Sequence, residues 1–417
     1  MILTEKKYRD ASWDFVGANT KKFTHCYHNY PAMMIPQIAE RLLEKYGANA
    51  NLLFDPYCGT GTSLVEANLK GIDAIGTDLN PLARLVAKTK TSKINLQVLE
   101  LYLKDFNDYI FSVMFDFSKV SVVIPKISNI DFWFDKPVQE KLAVIKAFIE
   151  KIEDESVSNF FKVAFSETVR ESSLTRNGEF KLFRMTPEQI EKFNPDVFGL
   201  MQSKLARNHR GLREFLEHRP KGKAEVYGFN TCNEVQYLEH ESVDLVLTSP
   251  PYGDSRTTVA YGQFSRLSNE WLGIENANQV DNLLMGGKSE RKIRNFNSKC
   301  LNESLEKIAS VNESRAKEIA SFYYDYQKSI ENVARTVKKG GYACYVVGNR
   351  KVKGEILPTD EITKDFFENY GFSHVETIIR KIPSKRMPSK NSPTNITGKK
   401  DETMNYEYIV VMRKESV

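Results

Sequence analysis

Residues Asn51–Thr62 read NLLFDPYCGTGT. The first five form an apolar run closed by an acid, which predicts a buried strand ending at Asp55. Gly59 and Gly61 follow, one residue apart, before a helical stretch from about Ser63 to Lys70. Glycines at such a strand-to-helix turn let the backbone pass close to a ligand. Gly71 closes the helix in the usual position for glycine. The third glycine of a dinucleotide fingerprint is missing, and Asp55 puts a carboxylate where a pyrophosphate would sit. An acid there suits a cationic or amine-bearing ligand. S-adenosylmethionine, with its amino group and sulfonium, is such a ligand. Asp73–Asp78 (DAIGTD) predicts a second strand, ending on an acid that can take both ribose hydroxyls. The same residues also make a plain strand–turn–helix corner with two incidental acids.

Outward from this corner, strands and helices alternate. A second helix is expected over Leu82–Lys90, and further strands at Ala224–Phe229, Val243–Thr248, Tyr342–Val347, His374–Lys381 and Tyr406–Arg413. The best helical stripe is Ile319, Phe322, Tyr323, Tyr326, Ile330, Val333 and Val337, stopped by Gly340–Gly341. A last helix, about Asp360–Tyr370, follows Pro358 with Thr359 as its cap. This rhythm predicts an α/β fold, doubly wound around a mostly parallel sheet of seven strands. It breaks over 91–223, where helical spacings dominate (Val138, Leu142, Ile145, Ile149 and Ile152 on one face). We therefore expect two domains: 1–90 with 224–417 as the sheet domain, and 91–223 as a largely helical insertion, a candidate for target recognition. Residues from about 274 to 312 read as polar and poorly periodic.

Composition narrows the class only broadly. With 41% hydrophobic and 27% charged residues, the balance is globular rather than disordered or fibrous. The net charge of +5 says nothing decisive about nucleic acid. Purely apolar stretches such as Val122–Ile124 and Tyr408–Met412 fall far below the roughly 18–20 residues that cross a bilayer. No secretory signal is visible. Five cysteines without a CxxC pair argue for a reducing cytosol and against structural zinc, so no metal is expected.

Thr248–Tyr252 reads TSPPY after the strand VDLVL. A residue before proline is pushed to extended geometry, so Ser249 and Pro250 are both held extended. Neither Pro250 nor Pro251 has an N–H to give a neighbouring strand. The Pro250 carbonyl is thus stiffly aimed, Ser249 supplies a second acceptor, and Tyr252 offers a ring for stacking. Two acceptors beside a flat surface suit the exocyclic amine of a nucleobase. A rigid Pro-Pro-Tyr loop without such a role is the plain alternative.

DPYCGTGT followed later by TSPPY resembles the S-adenosylmethionine-dependent amino-group DNA methyltransferases of the cytosine-N4 type. Thr24–Leu43 (THCYHNYPAMMIPQIAERLL) is similar to that family's N-terminal cofactor segment. GTDLNPLA around Asp78 and YACYVVGNR at Tyr342–Arg350 resemble family strands. The resemblance implies a cofactor site of Tyr30, Pro31, Asp55, Pro56, Cys58, Gly59, Gly61, Thr62, Asp78 and Leu79. It implies an adenine contact from Asn230, with Thr231 as rival, although the family usually has an acid at that strand end. It implies methyl transfer to the N4 amine of a cytosine flipped from duplex DNA, with Ser249, Pro250, Pro251 and Tyr252 catalytic. The setting implied is a restriction–modification system in a bacterial or archaeal cytosol or nucleoid, with a cognate restriction endonuclease as candidate partner and no membrane. An adenine-N6 DNA or RNA amino-methyltransferase on the same fold is the second reading. A non-catalytic DNA-binding subunit is the third, and the intact motif set argues against it.

Other residues stay open. Carbon-5 cytosine chemistry needs a cysteine, usually after proline, and no Pro-Cys pair exists. Cys58 reads as a small residue in the turn. His25 and His28 either line the cofactor pocket or serve the fold. Basic runs at Lys204–Lys223, Lys288–Lys299 and Arg380–Lys399 are candidate phosphate contacts, with Arg256, Arg291, Lys292, Lys385 and Arg386 the named DNA-binding residues.

Overall fold

Apolar and β-branched runs such as LLFD and VDLVLT can bury both faces only inside a sheet covered by helices. The computed structural model describes residues 6–117, 122–254, 258–287, 292–383, 390–391, 401–402 and 404–415. Its main sheet has eight strands: β1 (Lys7–Arg9), β2 (Leu52–Asp55), β3 (Asp73–Thr77), β4 (Ala224–Tyr227), β5 (Val243–Thr248), β6 (Val337–Val347), β7 (Phe372–Lys381) and β8 (Tyr406–Lys414). Their spatial order is β1-β7-β8-β6-β5-β2-β3-β4. β8 runs antiparallel to both its neighbours, and every other pair is parallel. The seven expected strands are all present. The eighth, β1, is a three-residue edge strand, too short to show any period.

The longer helices are α1 (Pro36–Tyr46), α2 (Thr62–Lys70), α3 (Pro81–Thr91), α4 (Leu96–Phe115), α5 (Lys136–Ile149), α6 (Glu155–Ser172), α7 (Val197–Glu217), α8 (Tyr261–Trp271), α9 (Lys299–Val311), α10 (Glu313–Thr336) and α11 (Thr359–Glu368). Strand side chains alternate between two cores, as the pleat requires. Leu53, Leu245, Leu247, Val346 and Ile409 pack with Leu42 of α1 and Leu64 of α2. Phe54, Val246, Tyr345 and Val410 pack with Leu305 of α9, Tyr326 of α10 and Phe366 of α11. A third core joins Phe106, Leu142, Phe161 and Met201 of α4–α7 to Tyr27, Tyr30, Val86 of α3 and Trp271 of α8.

Three local expectations change. The stretch read as aperiodic contains α9, whose Leu301, Leu305 and Ile308 are buried at helical spacing between exposed charges. The α10 stripe ends at Thr336, and Val337 already belongs to β6. Pairing of Val337 with Val243 draws the chain into the sheet before the glycines, and Gly340 sits within the strand at φ 77°. Thr359 is not a cap: Pro358 holds that position, and the Thr359 hydroxyl pairs with Tyr323 Oη at 2.8 Å.

Candidate active site

The site forms where β2, β3 and β5 end together. The turn after β2 needs its glycines for different reasons. Gly61 caps α2 at φ 78°, and a Cβ there would lie 2.9 Å from Cβ of Ala87 on α3. Gly59 has φ 50°, and a Cβ there would meet nothing within 4 Å. Gly61 thus allows helix packing and Gly59 keeps space open.

Two acids tie the strand ends. Asp78 Oδ2 accepts the Gly59 N–H at 3.1 Å, and Oδ1 accepts the Asn80 N–H at 2.7 Å. Asp55 accepts the Tyr57 N–H at 3.1 Å, the Thr248 hydroxyl at 2.5 Å and the Ser63 hydroxyl. The cofactor-turn strand is thereby joined to the first residue of TSPPY. Burial raises the Asp55 carboxyl to about 6, against the lowering effect of the Ser63 and Thr248 hydrogen bonds. Burial raises Asp78 as well.

Between these strand ends lies a cleft open to solvent, spanning about 960 Å³ with the solvent space at its mouth included. Tyr30, Pro31, Asp55, Pro56, Cys58, Gly59, Thr62, Asp78, Leu79, Asn230, Ser249 and Pro251 line it. Gly61, Pro250 and Tyr252 do not. Gly61 lies behind the turn against α3, and Pro250 is buried. Tyr252 lines a separate small pocket with Asp254, Phe322 and Arg350. Its hydroxyl donates to Glu407 Oε1 at 3.0 Å and lies 3.4 Å from Ser249 Oγ. The Ser249 hydroxyl donates to the Val346 carbonyl at 3.2 Å.

At the strand end after β4, Asn230 and Thr231 both line the cleft. The Thr231 hydroxyl is bound to Ser329 Oγ at 2.6 Å and buried, whereas Asn230 is half-buried. Cys58 is buried, which pushes its thiol well above the ordinary value, away from nucleophilic use. Neither His25 nor His28 is among the lining residues. His25 Nε2 meets Glu66 Oε1 at 2.7 Å, and burial lowers both histidines, His28 to about 4.

Several lining residues escaped the sequence reading: Met33, Tyr57, Asn80, Phe229, Tyr261 and Met285. Asn80 is the informative one. Its Oδ1 accepts the Leu82 N–H at 3.1 Å and caps α3, while Nδ2 donates to Tyr30 Oη at 2.8 Å and Ser265 Oγ at 3.0 Å. Tyr30 also stacks on Tyr261, with ring centres 6.0 Å apart. An Asn before Pro81 is a helix-start signal that sequence could have supplied. The distant partners left no such trace.

The named DNA candidates are mostly outside the described residues: Arg256, Arg291, Lys385 and Arg386. Lys292 is described and exposed. Three basic residues from the predicted runs turn inward instead. Lys204 and Arg207 pair with buried Glu167, at 3.8 and 2.7 Å, and Arg380 is 3% exposed against Glu407. A charge run in sequence does not reveal which members face acids across the fold. Among the described residues, no group of three or more His, Cys, Asp or Glu could hold a metal ion, and no helix is long and apolar enough to cross a membrane.

The cleft fits S-adenosylmethionine. It joins acids at two strand ends to an open glycine position and to apolar walls from Met33, Phe229 and Met285. Sheet, turn and cleft together define a methyltransferase of the Rossmann-like class, with S-adenosylmethionine as its cofactor. Comparison agrees: residues 25–110 match the UPF0020 family, described as an RMKL-like, methyltransferase domain. The chain is 40% identical to the type II methyltransferase M.MvaI of Kocuria varians, over 96% of this chain and 93% of that protein. It is 19% identical to the type II methyltransferase M.BsoBI of Geobacillus stearothermophilus, over 86% and 80%. The rRNA methyltransferase aviRa from Streptomyces viridochromogenes overlays with a TM-score of 0.33 at 11% identity, covering 97% of this chain and 94% of that one. The chain belongs to the type II methyltransferase family.

Proposed function

We propose that the protein methylates the exocyclic N4 amine of a cytosine turned out of duplex DNA, at a defined sequence. The observation that carries this reading is that Ser249 and Pro251 line the same cleft as Gly59 and Asp78, so base site and cofactor site share one space. The cofactor, when bound, supplies a methyl group activated by a positive sulfonium. In this reading Asp78 accepts the ribose hydroxyls and Asn230 meets the adenine edge. Asp55, whose oxygens already accept from Ser63, Thr248 and Tyr57, contributes its charge near the cofactor's amino group.

The cytosine amine is a poor nucleophile because its lone pair is conjugated into the ring. Hydrogen bonds donated by its two N–H groups to Ser249 Oγ and the Pro250 carbonyl draw it toward tetrahedral geometry and free that lone pair. The Ser249 hydrogen is engaged by the Val346 carbonyl, which turns the oxygen's lone pairs toward an incoming N–H. Rate enhancement comes mainly from positioning and fixed dipoles. In this reading the Tyr252 ring, which lies outside the cleft with its hydroxyl 3.4 Å from Ser249 Oγ, stacks on the incoming base and offsets the few kcal/mol of unstacking.

We assign residues 1–90 and 224–417 to the methyltransferase domain, and 91–223 to an inserted helical layer with a target-reading side. The basic residues Arg256, Arg291, Lys292, Lys385 and Arg386 are assigned to the DNA phosphates. A restriction–modification setting in a bacterial or archaeal cytosol, with a cognate endonuclease, follows from this activity.

The test is incubation with labelled cofactor and unmethylated genomic DNA, then nucleoside analysis. N4-methylcytosine is the expected product. Methyladenine alone would replace this reading with the adenine-N6 one, and product from RNA alone would remove DNA as substrate.

A further inference from the structure

A stacking platform needs a ring face, and a phenylalanine supplies one. The Tyr252 hydroxyl therefore calls for a separate account. It donates to Glu407 Oε1 at 3.0 Å. Glu407 stands on β8 directly opposite Arg380 on β7, and Oε2 is paired with Arg380 Nη1. Arg380 spends its other donors on main-chain carbonyls of the N-terminal segment: Nε on Trp13 at 2.8 Å and Nη2 on Asp14 at 3.3 Å. The Asp14 carboxylate closes back onto the Lys381 N–H at 2.7 Å. A continuous chain of hydrogen bonds thus runs from the TSPPY segment to the N-terminal loop.

Two features indicate that this chain fixes the ring. Arg380 is buried and Glu407 half-buried, and a carboxylate–guanidinium pair so far withdrawn from water is costly to desolvate, while apolar residues of similar size often fill such a space as stably. Its placement at the hydroxyl of one tyrosine therefore points to orientation rather than stability. The ring is also walled: a Cβ at Gly348 would lie 2.8 Å from Tyr252 Cδ2 and collide with Met404 Sδ. Only a glycine after β6 leaves room for both.

We propose that Glu407 and Arg380 are positioning residues, which hold the Tyr252 ring in one orientation for the target base. The N-terminal Trp13–Asp14 segment belongs to the same device. This rests on the reading of Tyr252 as the stacking residue given above. Neither Glu407 nor Arg380 lines the cofactor cleft, so the device acts on turnover and leaves cofactor affinity alone.

The experiment compares Tyr252→Phe, Glu407→Ala, Glu407→Gln, the double variant Tyr252→Phe/Glu407→Ala, and Tyr252→Ala. Single-turnover methylation of unmethylated genomic DNA is read beside cofactor affinity by calorimetry. Tyr252→Phe and Glu407→Ala should each slow methylation by about tenfold or more with cofactor affinity unchanged. The double variant should be no slower than either single one, because both remove the same hydrogen bond. Glu407→Gln should stay within about threefold of wild type, since the amide oxygen still accepts. Tyr252→Phe leaves the Glu407–Arg380 pair whole, so it decides the matter even if Glu407→Ala fails to fold.

Wild-type rates in Tyr252→Phe would overturn the tether, as would additive losses in the double variant. A Glu407→Gln variant as slow as Glu407→Ala would assign Glu407 a charge or proton role instead. Full activity in Tyr252→Ala would remove the stacking role itself, a failure separate from that of the tether.

Discussion

Glu66 and His25 meet in the core, where burial raises Glu66 to about 7 and depresses His25 well below its ordinary value. Between the unfolded value of 4.5 and about 7, folded Glu66 holds a proton that the unfolded chain has released. Its contribution to stability is therefore present below pH 4.5, falls as pH rises through this window and levels above it. Glu66→Gln fixes the neutral form. The melting temperature of the variant relative to wild type should rise between pH 5 and about 7 and level off above it, by an amount equivalent to at most roughly 3 kcal/mol. A constant difference would mean that Glu66 ionises normally. The two turn glycines separate stability from binding. Gly61→Ala should lose about 1–3 kcal/mol in urea denaturation, from its positive φ and the clash with Ala87. Gly59→Asn, whose side chain tolerates positive φ, projects into open space instead, so it should weaken cofactor binding by about tenfold or more for a smaller loss of stability.

At the scale of elements, one asparagine starts a helix and fixes a strap. Asn80 caps α3 through Oδ1 and holds Tyr30 and the first turn of α8 through Nδ2. Asn80→Ala loses both functions, with about 1 kcal/mol from the cap alone. Asn80→Ser retains a capping oxygen and is too short for Tyr30. The serine variant should therefore recover most of the melting temperature while sharing the alanine variant's loss of cofactor affinity. Equal affinity in Asn80→Ser and wild type would show that Tyr30 needs no such tie. The cap was readable from Asn80–Pro81, since capping is a local pattern. The strap was not, because Tyr30 and Ser265 reach Asn80 from opposite directions along the chain.

At the scale of the molecule, the helices of 91–223 share their buried cluster with Tyr27, Tyr30, Val86 and Trp271. Phe161 lies in the same buried cluster as Tyr27 and Tyr30, whereas Phe366 belongs to the cluster on a sheet face remote from that strap. Truncating either phenylalanine to alanine should cost about 3–5 kcal/mol. Only Phe161→Ala should also reduce cofactor affinity, measured by calorimetry where both variants remain folded. Equal affinities would show that the helical layer is energetically separate from the cofactor strap.

The sequence by itself determined the sheet's seven principal strands, the glycine turn between β2 and α2 and the stiff TSPPY segment. Each depends on contacts within a few residues: an apolar period, a positive φ only glycine takes freely, a proline that fixes its predecessor. Tertiary structure alone decided which of these share a space. It placed Ser249 on the same cleft as Gly59 and Asp78, spent Lys204 and Arg207 on buried Glu167 and Arg380 on half-buried Glu407, and anchored Tyr252 through Glu407. Those partners are distant in the chain, and a hydrogen bond between distant residues imposes no period on the residues around it.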